Sequence, residues 1–454
     1  MKKVYIETIA PILRGLTFDN EKGNIIVFRD VYKKAFFSIF TENYNLISRQ
    51  LISKRAIKNI TIPLYLDLIQ KSNLLDEKQL RKKIIAYTIR KFNIYEKKYN
   101  QNPNTVILEN IGIFYMGKSY DEANSIKSVF KENLKSMKTK PKFSKSHSSY
   151  EDVKKLEGGE DSALSLDLEK NHNDGKVDRN DIVKNKIAVV TGGAQGFGES
   201  IVRELTKSGS LVFIADINIE GARKLADELN TQYKKTTALP VKVDVTDEAS
   251  VEGMIYEVVK EAGGIDIFIS NAGVLNAQSV KEMKLNTFKF VTDVNYIGYF
   301  LCVKHASKIM ALQNIPAKKY FTDIIQINSK SGTRGSNKNS AYAGSKFGGI
   351  GLTQSFALEL IEDNIKVNSV CPGNFFEGPL WSDPEKGLFI QYLRNKKVPG
   401  AKTIEDVKRF YESKIPIKRG CTGKDLIKAI YYIIDQKYET GQAIPVTGGQ
   451  IMLK

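Results

Sequence analysis

The chain has 454 residues, enough for two or three domains, and 42% of them are hydrophobic. No apolar run reaches the roughly 20 residues that cross a bilayer, and the start MKKVYIETIAPILRG lacks the apolar core of a signal peptide. The three cysteines, Cys302, Cys371 and Cys421, are odd in number and far apart, which excludes a disulfide framework or a metal knuckle. We therefore expect a cytoplasmic protein that is not bound to a membrane.

The net charge of +18 is concentrated in the N-terminal third, where residues 1–150 hold 28 Lys and Arg against 13 Asp and Glu. A basic surface can bind nucleic acid. Here, however, the lysines alternate with Ile, Leu, Phe and Tyr, as they do on the solvated faces of helices. The segment contains no recognisable nucleic-acid motif and no dense arginine cluster. Nucleic acid is therefore not an expected partner.

Residues 1–135 predict a small α/β domain. Its expected elements are a strand at 23–29, a further element at 47–58, a helix at 75–98, strands at 106–108 and 113–116, and a helix from about 121. The run NTVILENIGIFYMGKSYDEANSIKSVFKEN, residues 104–133, resembles the C-terminal half of class II aldolase/adducin-like domains. That family binds zinc chiefly through histidines, and zinc needs three or four converging ligands. The histidines of this chain are His147, His172 and His305, so we predict no metal site and interpret the domain as a truncated, catalytically silent remnant used for packing or assembly.

Residues 136–180 are rich in Lys, Ser, Asp, Glu, Asn and Gly and lack the apolar density of a core, which predicts a linker with a possible short helix at 162–170. The third predicted domain spans 181–454. Because every motif described below lies after Asp181, a chain that begins there is expected to keep the chemistry of those motifs.

From Lys186 the pattern becomes strand, glycine-rich turn, helix and strand within about thirty residues, as dinucleotide-binding folds require. The turn glycines Gly192, Gly196 and Gly198 allow close approach of the backbone to a pyrophosphate at a helix N-terminus. The second strand ends at Asp216, whose carboxylate can bond both ribose hydroxyls of NAD and would repel the 2′-phosphate of NADP. Strands at 241–245 and 265–270, with a helix at 250–261 between them, indicate a Rossmann-like, doubly wound parallel sheet.

A second group of residues can carry proton chemistry. Tyr342 and Lys346 are four residues apart in a predicted helix, so the phenol and the ammonium share one face. The lysine charge is expected to lower the pKa of the phenol, which has a reference value of about 10. Tyr342 could then take a proton from an alcohol, with Ser329, at the end of a predicted strand at 324–327, bonding the reacting oxygen. Tyr-x-x-x-Lys alone is more often just a turn of an amphipathic helix.

The combination of motifs from Lys186 to the C-terminus resembles the short-chain dehydrogenase/reductase family. This resemblance implies Ser329, Tyr342 and Lys346 as catalytic residues, with Asn295 supporting a proton relay. It also implies NAD contacts at these positions: Gly192, Gln195, Gly196, Phe197, Gly198, Asp216, Asp244, Val245, Asn271, Ala272, Gly273, Tyr342, Lys346, Pro372 and Gly373. Members of the family form tetramers or dimers through two long helices, here at 293–310 and 342–361, and through the C-terminal strand.

A narrower resemblance, carried by QINSKSG (326–332), KIPIKRGC and PVTGGQIM, is to the sorbitol-6-phosphate 2-dehydrogenases, a group within that family. It implies a sugar phosphate as the small-molecule substrate. Lys330 and Arg334 are the favoured phosphate ligands, while Lys338, Arg394, Lys418 and Arg419 are further candidates. Two alternatives remain open at this point. One is a dehydrogenase of another polyol or keto-sugar, and the other is a binding or assembly protein that works through its basic N-terminal third.

Overall fold

The computed structural model describes residues 2–18, 23–30, 61–67, 76–138 and 182–452. The predicted elements at 47–58 and 162–170 lie outside these ranges, as does nearly all of the predicted linker. Within the described residues the chain forms two β-sheets, one of four strands and one of seven. They correspond to the predicted N-terminal α/β unit and the predicted Rossmann-like unit.

The four-stranded sheet has the order β1-β4-β3-β2. Its strands β1 to β4 span Ile25–Asp30, Leu64–Leu66, Thr105–Leu108 and Gly112–Gly117. Helices α1, α2 and α3 span Lys2–Leu16, Glu77–Tyr99 and Tyr120–Lys138. Asp76 caps α2 by accepting a hydrogen bond from the Gln79 amide, and Asn100 ends that helix in the left-handed conformation. Helix α1 was not predicted, and it contains Pro11, a residue that normally disfavours a helix interior.

The seven-stranded sheet is entirely parallel, with the order β11-β10-β9-β8-β5-β6-β7. Its strands β5 to β11 span Ile187–Thr191, Leu211–Asp216, Ala238–Lys242, Ile267–Ser270, Thr322–Ile327, Ile365–Pro372 and Ala443–Val446. The inner strands are buried along their whole length because helices cover both faces. The order reverses between β5 and β8, and ligands of such sheets bind at this reversal, beyond the carboxyl ends of the strands. The Rossmann-like prediction is confirmed.

One strand begins earlier than predicted. Strand β7 spans Ala238–Lys242, whereas the predicted strand covered residues 241–245. Pro240 is tolerated inside β7 because this strand forms the edge of the sheet, where a missing amide donor costs no ladder bond. Asp244 and Val245 therefore lie in the loop after the strand.

Helices cover both faces of the large sheet. Helices α4 to α9 span Gly196–Lys207, Ile219–Tyr233, Glu248–Ala262, Leu285–Thr292, Gly298–Asn314 and Ser340–Leu360. Helices α10 to α13 span Pro379–Ser382, Leu388–Arg394, Ile404–Ser413 and Gly423–Asp435. The segment from Phe375 to Ile415 packs an aromatic cluster around Trp381 and forms the outer wall of the cleft described below.

The N-terminal unit packs directly onto helices α6 and α8 of the large sheet. One hydrophobic core runs from Tyr5 and Ile9 of α1, through Val27 of β1, to Met254 of α6 and Met310 of α8. Two glycines permit this close approach. A Cβ on Gly15 would lie 2.1 Å from the carbonyl oxygen of Gln313, and one on Gly264 would lie 2.9 Å from Arg14 Cδ.

Buried and half-buried charges cross the same interface. The Arg14 guanidinium is fully buried and donates to the Asp266 carboxylate, which also accepts from the Ile187 amide at 2.6 Å and from Gln313 Nε2 at 2.8 Å. Nearby, Arg29 binds Glu261 through two nitrogens at 2.7 and 3.0 Å. Burial raises the pKa of Glu261, but its bonds from Arg29 and Tyr120 outweigh that effect and hold its pKa below the ordinary value. Breaking a buried pair by removing one partner is strongly destabilising.

Candidate active site

The turn between β5 and α4 is shaped to receive a dinucleotide. Gly192 has a φ of +61°, and a Cβ on Gly198 would lie 2.0 Å from the Gly192 carbonyl oxygen, so both positions require glycine. The loop after β8 closes against this turn. Asn271 Nδ2 donates to the carbonyl oxygens of Thr191 and Gly192, both at 3.0 Å, and the Ala272 amide donates to Thr191 Oγ1 at 3.1 Å. The N-terminus of α4 and the open turn fit a pyrophosphate.

Asp216 ends strand β6 beside this turn, as predicted. Its two carboxylate oxygens accept hydrogen bonds from the amides of Ala194 at 3.0 Å and Asn218 at 2.9 Å, which fixes the carboxylate at the rim of the glycine turn. Further lone pairs of the same oxygens stay available for ribose hydroxyls.

Asp244 follows the neighbouring strand β7 and accepts hydrogen bonds from the Thr246 amide and hydroxyl. Val245 beside it packs against Gly298.

Ser329, Tyr342 and Lys346 come together at the carboxyl end of β9. Ser329 lies two residues after the end of the strand, and Tyr342 and Lys346 lie in the first two turns of α9. Lys346 is buried, donates to the Ile327 carbonyl oxygen at 3.0 Å, and has its Nζ 5.6 Å from the centroid of the Tyr342 ring. The Ser329 side chain is close enough to the Tyr342 phenol to influence its pKa. The predicted catalytic residues are therefore adjacent in space.

The pKa of Tyr342 differs from the sequence-based expectation. Burial raises this pKa, and the hydrogen bond from Ser329 opposes the rise without cancelling it. Burial also lowers the pKa of Lys346 to about 8. The expectation considered only the attraction between the phenolate and the ammonium. Inside the protein both groups lose hydration, and this loss disfavours each charged form.

Asn295 occupies a π-helical turn, Asp293–Ile297, between α7 and α8. Its Oδ1 accepts from the Val274 amide at 2.8 Å, while its Nδ2 donates to the Val274 carbonyl at 2.9 Å and to Ser345 Oγ at 3.2 Å. A Cβ on Gly273 would lie 3.3 Å from Asn295 Oδ1 and 3.7 Å from Lys346 Nζ. Asn295 therefore holds the loop after β8 next to the lysine. Single-turn π segments inside helices are frequent at functional sites.

One cavity of about 600 Å³ joins the glycine turn to the Ser329–Tyr342–Lys346 cluster. Its lining includes most of the predicted cofactor positions: Gly192, Gln195, Gly196, Phe197, Asn271, Ala272, Gly273, Pro372 and Gly373. Gly198 and Asp216 adjoin it from the turn and from β6. Phe375 stacks on Phe197 at 4.4 Å, which closes the outer wall over the glycine turn.

Only one of the two favoured phosphate ligands lies at the cavity. Lys330 lines the cavity, whereas Arg334 is exposed and lies outside its lining. Three of the other candidates lie elsewhere, because Arg419 pairs with Asp425 at 2.6 Å, Lys418 donates to the Ser413 carbonyl oxygen, and Arg394 is exposed. Lys338 is exposed and outside the lining, but it is near enough to Lys397 for their charges to interact. Sequence reasoning missed Lys397, which lines the cavity together with Lys386. Its run Asn-Lys-Lys resembles an ordinary charged surface, and only the folding of the segment after β10 brings it to the cleft.

Within the residues that the structure describes, no helix is both long enough and apolar enough to cross a bilayer. In the same part of the chain, no group of three or more His, Cys, Asp or Glu side chains is placed to hold a metal ion.

Comparisons with known proteins agree with this geometry. A family model described as short chain dehydrogenase matches residues 186–381. Sorbitol-6-phosphate 2-dehydrogenase of Escherichia coli is 37% identical over 270 residues, which cover 59% of this chain and 99% of that protein. Galactitol 2-dehydrogenase of Agrobacterium fabrum is 30% identical over 272 residues, 60% of this chain and 99% of that protein.

Solved structures give the same result for the fold. The crystal structure of sorbitol-6-phosphate 2-dehydrogenase from Erwinia amylovora is 40% identical, with a TM-score of 0.54, and the match covers 59% of this chain and 100% of that one. These matches agree with the predicted family and with the Rossmann-like fold. The resemblance of residues 1–135 to class II aldolases stays a prediction.

Proposed function

The chain belongs to the short-chain dehydrogenase/reductase family and is an oxidoreductase acting on CH–OH groups, and on that premise we propose that it oxidises sorbitol 6-phosphate to fructose 6-phosphate with NAD. The observation that carries this proposal is a single cavity in which Ser329, Tyr342 and Lys346 face both the glycine turn and the cationic side chain of Lys330. The substrate named for the similar enzymes of Escherichia coli and Erwinia amylovora supports it.

In the proposed reaction the alcohol carbon loses a hydride to the nicotinamide, which is the chemistry that the cofactor supplies. Tyr342 takes the hydroxyl proton onto its phenolic oxygen as the carbonyl forms. Ser329 donates a hydrogen bond to the same substrate oxygen, and the Lys346 ammonium favours the phenolate form of Tyr342. Asn295 keeps the loop after β8 in place and supports the proton relay.

The reducing cytoplasm is the proposed location, in which Cys302, Cys371 and Cys421 stay free thiols.

The test is NADH absorbance with purified protein, NAD and a panel of polyols and polyol phosphates. We expect the highest kcat/KM with sorbitol 6-phosphate. A preference for galactitol or another unphosphorylated polyol would favour the second candidate, a dehydrogenase of another polyol or keto-sugar, which the similarity to galactitol 2-dehydrogenase supports. No NADH with any substrate would favour a binding or assembly role for the N-terminal unit.

The proposed preference for NAD rests on Asp216. Replacing Asp216 with alanine should raise the KM for NAD by roughly 10-fold or more, because the ribose loses a hydrogen bond to a charged group. The same change should improve the use of NADP, since the carboxylate no longer repels a 2′-phosphate. Initial rates with both cofactors measure these effects, with Asp227→Ala, an exposed carboxylate on the neighbouring helix α5, as the control. Equal use of NAD and NADP by the unaltered protein would contradict the assignment.

We also propose that a second copy of this chain covers the outer face of α8 and α9. Large apolar side chains are exposed along these two helices: Phe300, Phe347, Leu358 and the adjoining Ile297. Strand β11 leaves one edge of the large sheet open, as an assembly through the C-terminal strand requires. Symmetric contacts between copies through such a face build closed dimers or tetramers.

Replacing Phe347 with glutamate should therefore shift the protein to a smaller assembly, because the charge would be buried between copies. Light scattering after size exclusion measures the mass. Ile94→Glu, at an exposed apolar position on α2, is the control and should leave the mass unchanged. A wild-type protein with the mass of one chain would rule the assembly out.

A further inference from the structure

The substrate end of the cavity carries an excess of positive charge. The charged side chains in its lining are Lys330, Lys346, Lys386 and Lys397 against the single carboxylate of Asp383. Asp383 is turned toward its own loop, where Oδ1 accepts from the amides of Glu385 at 2.9 Å and Lys386 at 2.7 Å. The cavity is thus cationic even before a ligand enters it.

Two of these lysines, Lys330 and Lys397, are half-buried without a carboxylate partner. Lys330 Nζ donates to Gln450 Oε1 at 3.1 Å, and Lys397 Nζ stands 3.9 Å from the centroid of the Tyr392 ring. Among the described residues neither ammonium has an acidic oxygen within ion-pair distance. Burial lowers the pKa of Lys330 to about 8, with a further contribution from the charge of Lys397. Burial likewise lowers the pKa of Lys397 to about 8, helped by Lys338.

Such an arrangement is unfavourable in the absence of an anion. Two partly desolvated ammonium groups that repel each other cost free energy, and this cost is relieved when a dianion binds between them. The aromatic ring of Tyr392 compensates only part of it through a cation–π contact. Lysine pairs of this kind therefore indicate a binding site for an anionic group rather than a contribution to stability.

The pair is also close to the reacting residues. Lys330 follows Ser329 directly in the chain, and the phenol of Tyr392 is near enough to Tyr342 for their charges to interact. An anionic group held by Lys330 and Lys397 would thus be a few bonds from a hydroxyl placed between Ser329 and Tyr342.

We propose that Lys397, acting with Lys330, binds the phosphate group of the substrate and sets the preference of the enzyme for phosphorylated over unphosphorylated polyols. This inference rests on the proposed function, and it assigns the phosphate to Lys397 in place of the exposed Arg334. Lys397 is a specificity-determining residue that takes no part in proton or hydride transfer.

The decisive quantity is the ratio of kcat/KM for sorbitol 6-phosphate to kcat/KM for sorbitol. Lys397→Met, which keeps the length of the side chain and removes its charge, should lower this ratio roughly 10- to 100-fold through loss of one charged hydrogen bond. Lys414→Met is the matched control, because Lys414 stands 4.1 Å from the Phe410 ring in the same cation–π contact but outside the cavity. Lys397→Arg is the second variant, to be used if Lys397→Met folds poorly. It keeps the positive charge and should retain most of the preference for the phosphorylated substrate.

The pH dependence of the same ratio separates Lys397 from the catalytic pair. Between pH 7 and 9 a phosphate monoester stays dianionic, since its second pKa is about 6. Lys330 and Lys397 lose their protons as the pH rises through about 8, so the ratio should fall across this range. Titration of Tyr342 and Lys346 affects both substrates and cancels in the ratio. Lys338, Lys386, Asp383, Tyr392 and Tyr411 also face this end of the cavity or interact with Lys397. Burial raises the pKa values of Tyr392 and Tyr411, and hydrogen bonds from two backbone amides lower the pKa of Asp383, so these three groups move away from the range between pH 7 and 9.

Binding of inorganic phosphate makes the result independent of turnover. Calorimetric titration should give a dissociation constant at least 10-fold weaker for Lys397→Met than for the wild type and for Lys414→Met. Equal phosphate affinity and an equal substrate ratio in Lys397→Met and the wild type would overturn the assignment, even if the enzyme proves to be a polyol dehydrogenase. Conversely, tight phosphate binding that depends on Lys397, without NADH from any polyol, would support the anion site and reject the proposed function.

Discussion

Replacing Tyr342 with phenylalanine should lower kcat for alcohol oxidation by roughly 10²- to 10⁴-fold, the usual contribution of a positioned proton carrier. The change deletes one oxygen atom, and it leaves intact the glycine turn and Asp216, which bind the cofactor. Stopped-flow or steady-state NADH absorbance measures the rate, and quenching of protein fluorescence measures the affinity for NADH, which should change less than about threefold.

Tyr431→Phe is the matched control for this experiment. The Tyr431 hydroxyl donates to Ser208 Oγ at 2.8 Å on the opposite face of the sheet, so its removal deletes the same atom without touching the cavity. Its kcat should stay close to that of the wild type. If Tyr342→Phe kept more than a few per cent of the wild-type rate, Tyr342 would not be the proton carrier.

Replacing Arg14 with methionine should cost roughly 3–5 kcal/mol of unfolding free energy. This substitution keeps the apolar part of the side chain and leaves the fully buried Asp266 carboxylate without its cation. Two hydrogen bonds, from the Ile187 amide and Gln313, would remain, and they cannot neutralise the charge. Urea unfolding followed by fluorescence measures the loss. Deleting the whole N-terminal unit would instead open Asp266 to water, so the substitution is the cleaner test of the ion pair.

Two further variants test whether the lower unfolding free energy of Arg14→Met comes from the broken ion pair. Arg223→Met breaks an exposed pair with Glu220 and should cost no more than about 1 kcal/mol. The double variant Arg14→Met/Asp266→Asn should recover part of the stability, because a neutral amide needs no counter-charge and its oxygen can still accept from the Ile187 amide. A loss in Arg14→Met no larger than that in Arg223→Met would mean that the N-terminal unit is not anchored by this pair.

The sequence by itself determined the Rossmann-like sheet, the glycine turn and the cluster of Ser329, Tyr342 and Lys346. Each of these depends on short-range order. A strand, a turn and a helix follow one another within a few residues, and the parallel strands of such a sheet bring their carboxyl ends to one edge. The spacing of Tyr342 and Lys346 on one helix is likewise a local property. For this reason the glycine turn and the Tyr342–Lys346 pair could be named before the fold was known, whereas other positions such as Asn295 were implied only by the resemblance to short-chain dehydrogenases.

Only the tertiary structure decided how the N-terminal unit is held and which cations line the cleft. Arg14 and Asp266 are 252 residues apart in the chain. Their contact depends on the docking of α1, a helix that contains Pro11 and was not predicted. Arg334 and Lys397 are equally charged in the sequence, and the packing of the segment after β10 directs only Lys397 into the cavity. The pKa of Tyr342 also depends on the tertiary structure, because burial is a property of the whole fold and here outweighs the lowering effect of Ser329. Long-range contacts and desolvation cannot be read from the sequence pattern. A lysine, arginine or tyrosine that becomes buried has the same sequence surroundings as one that stays in water.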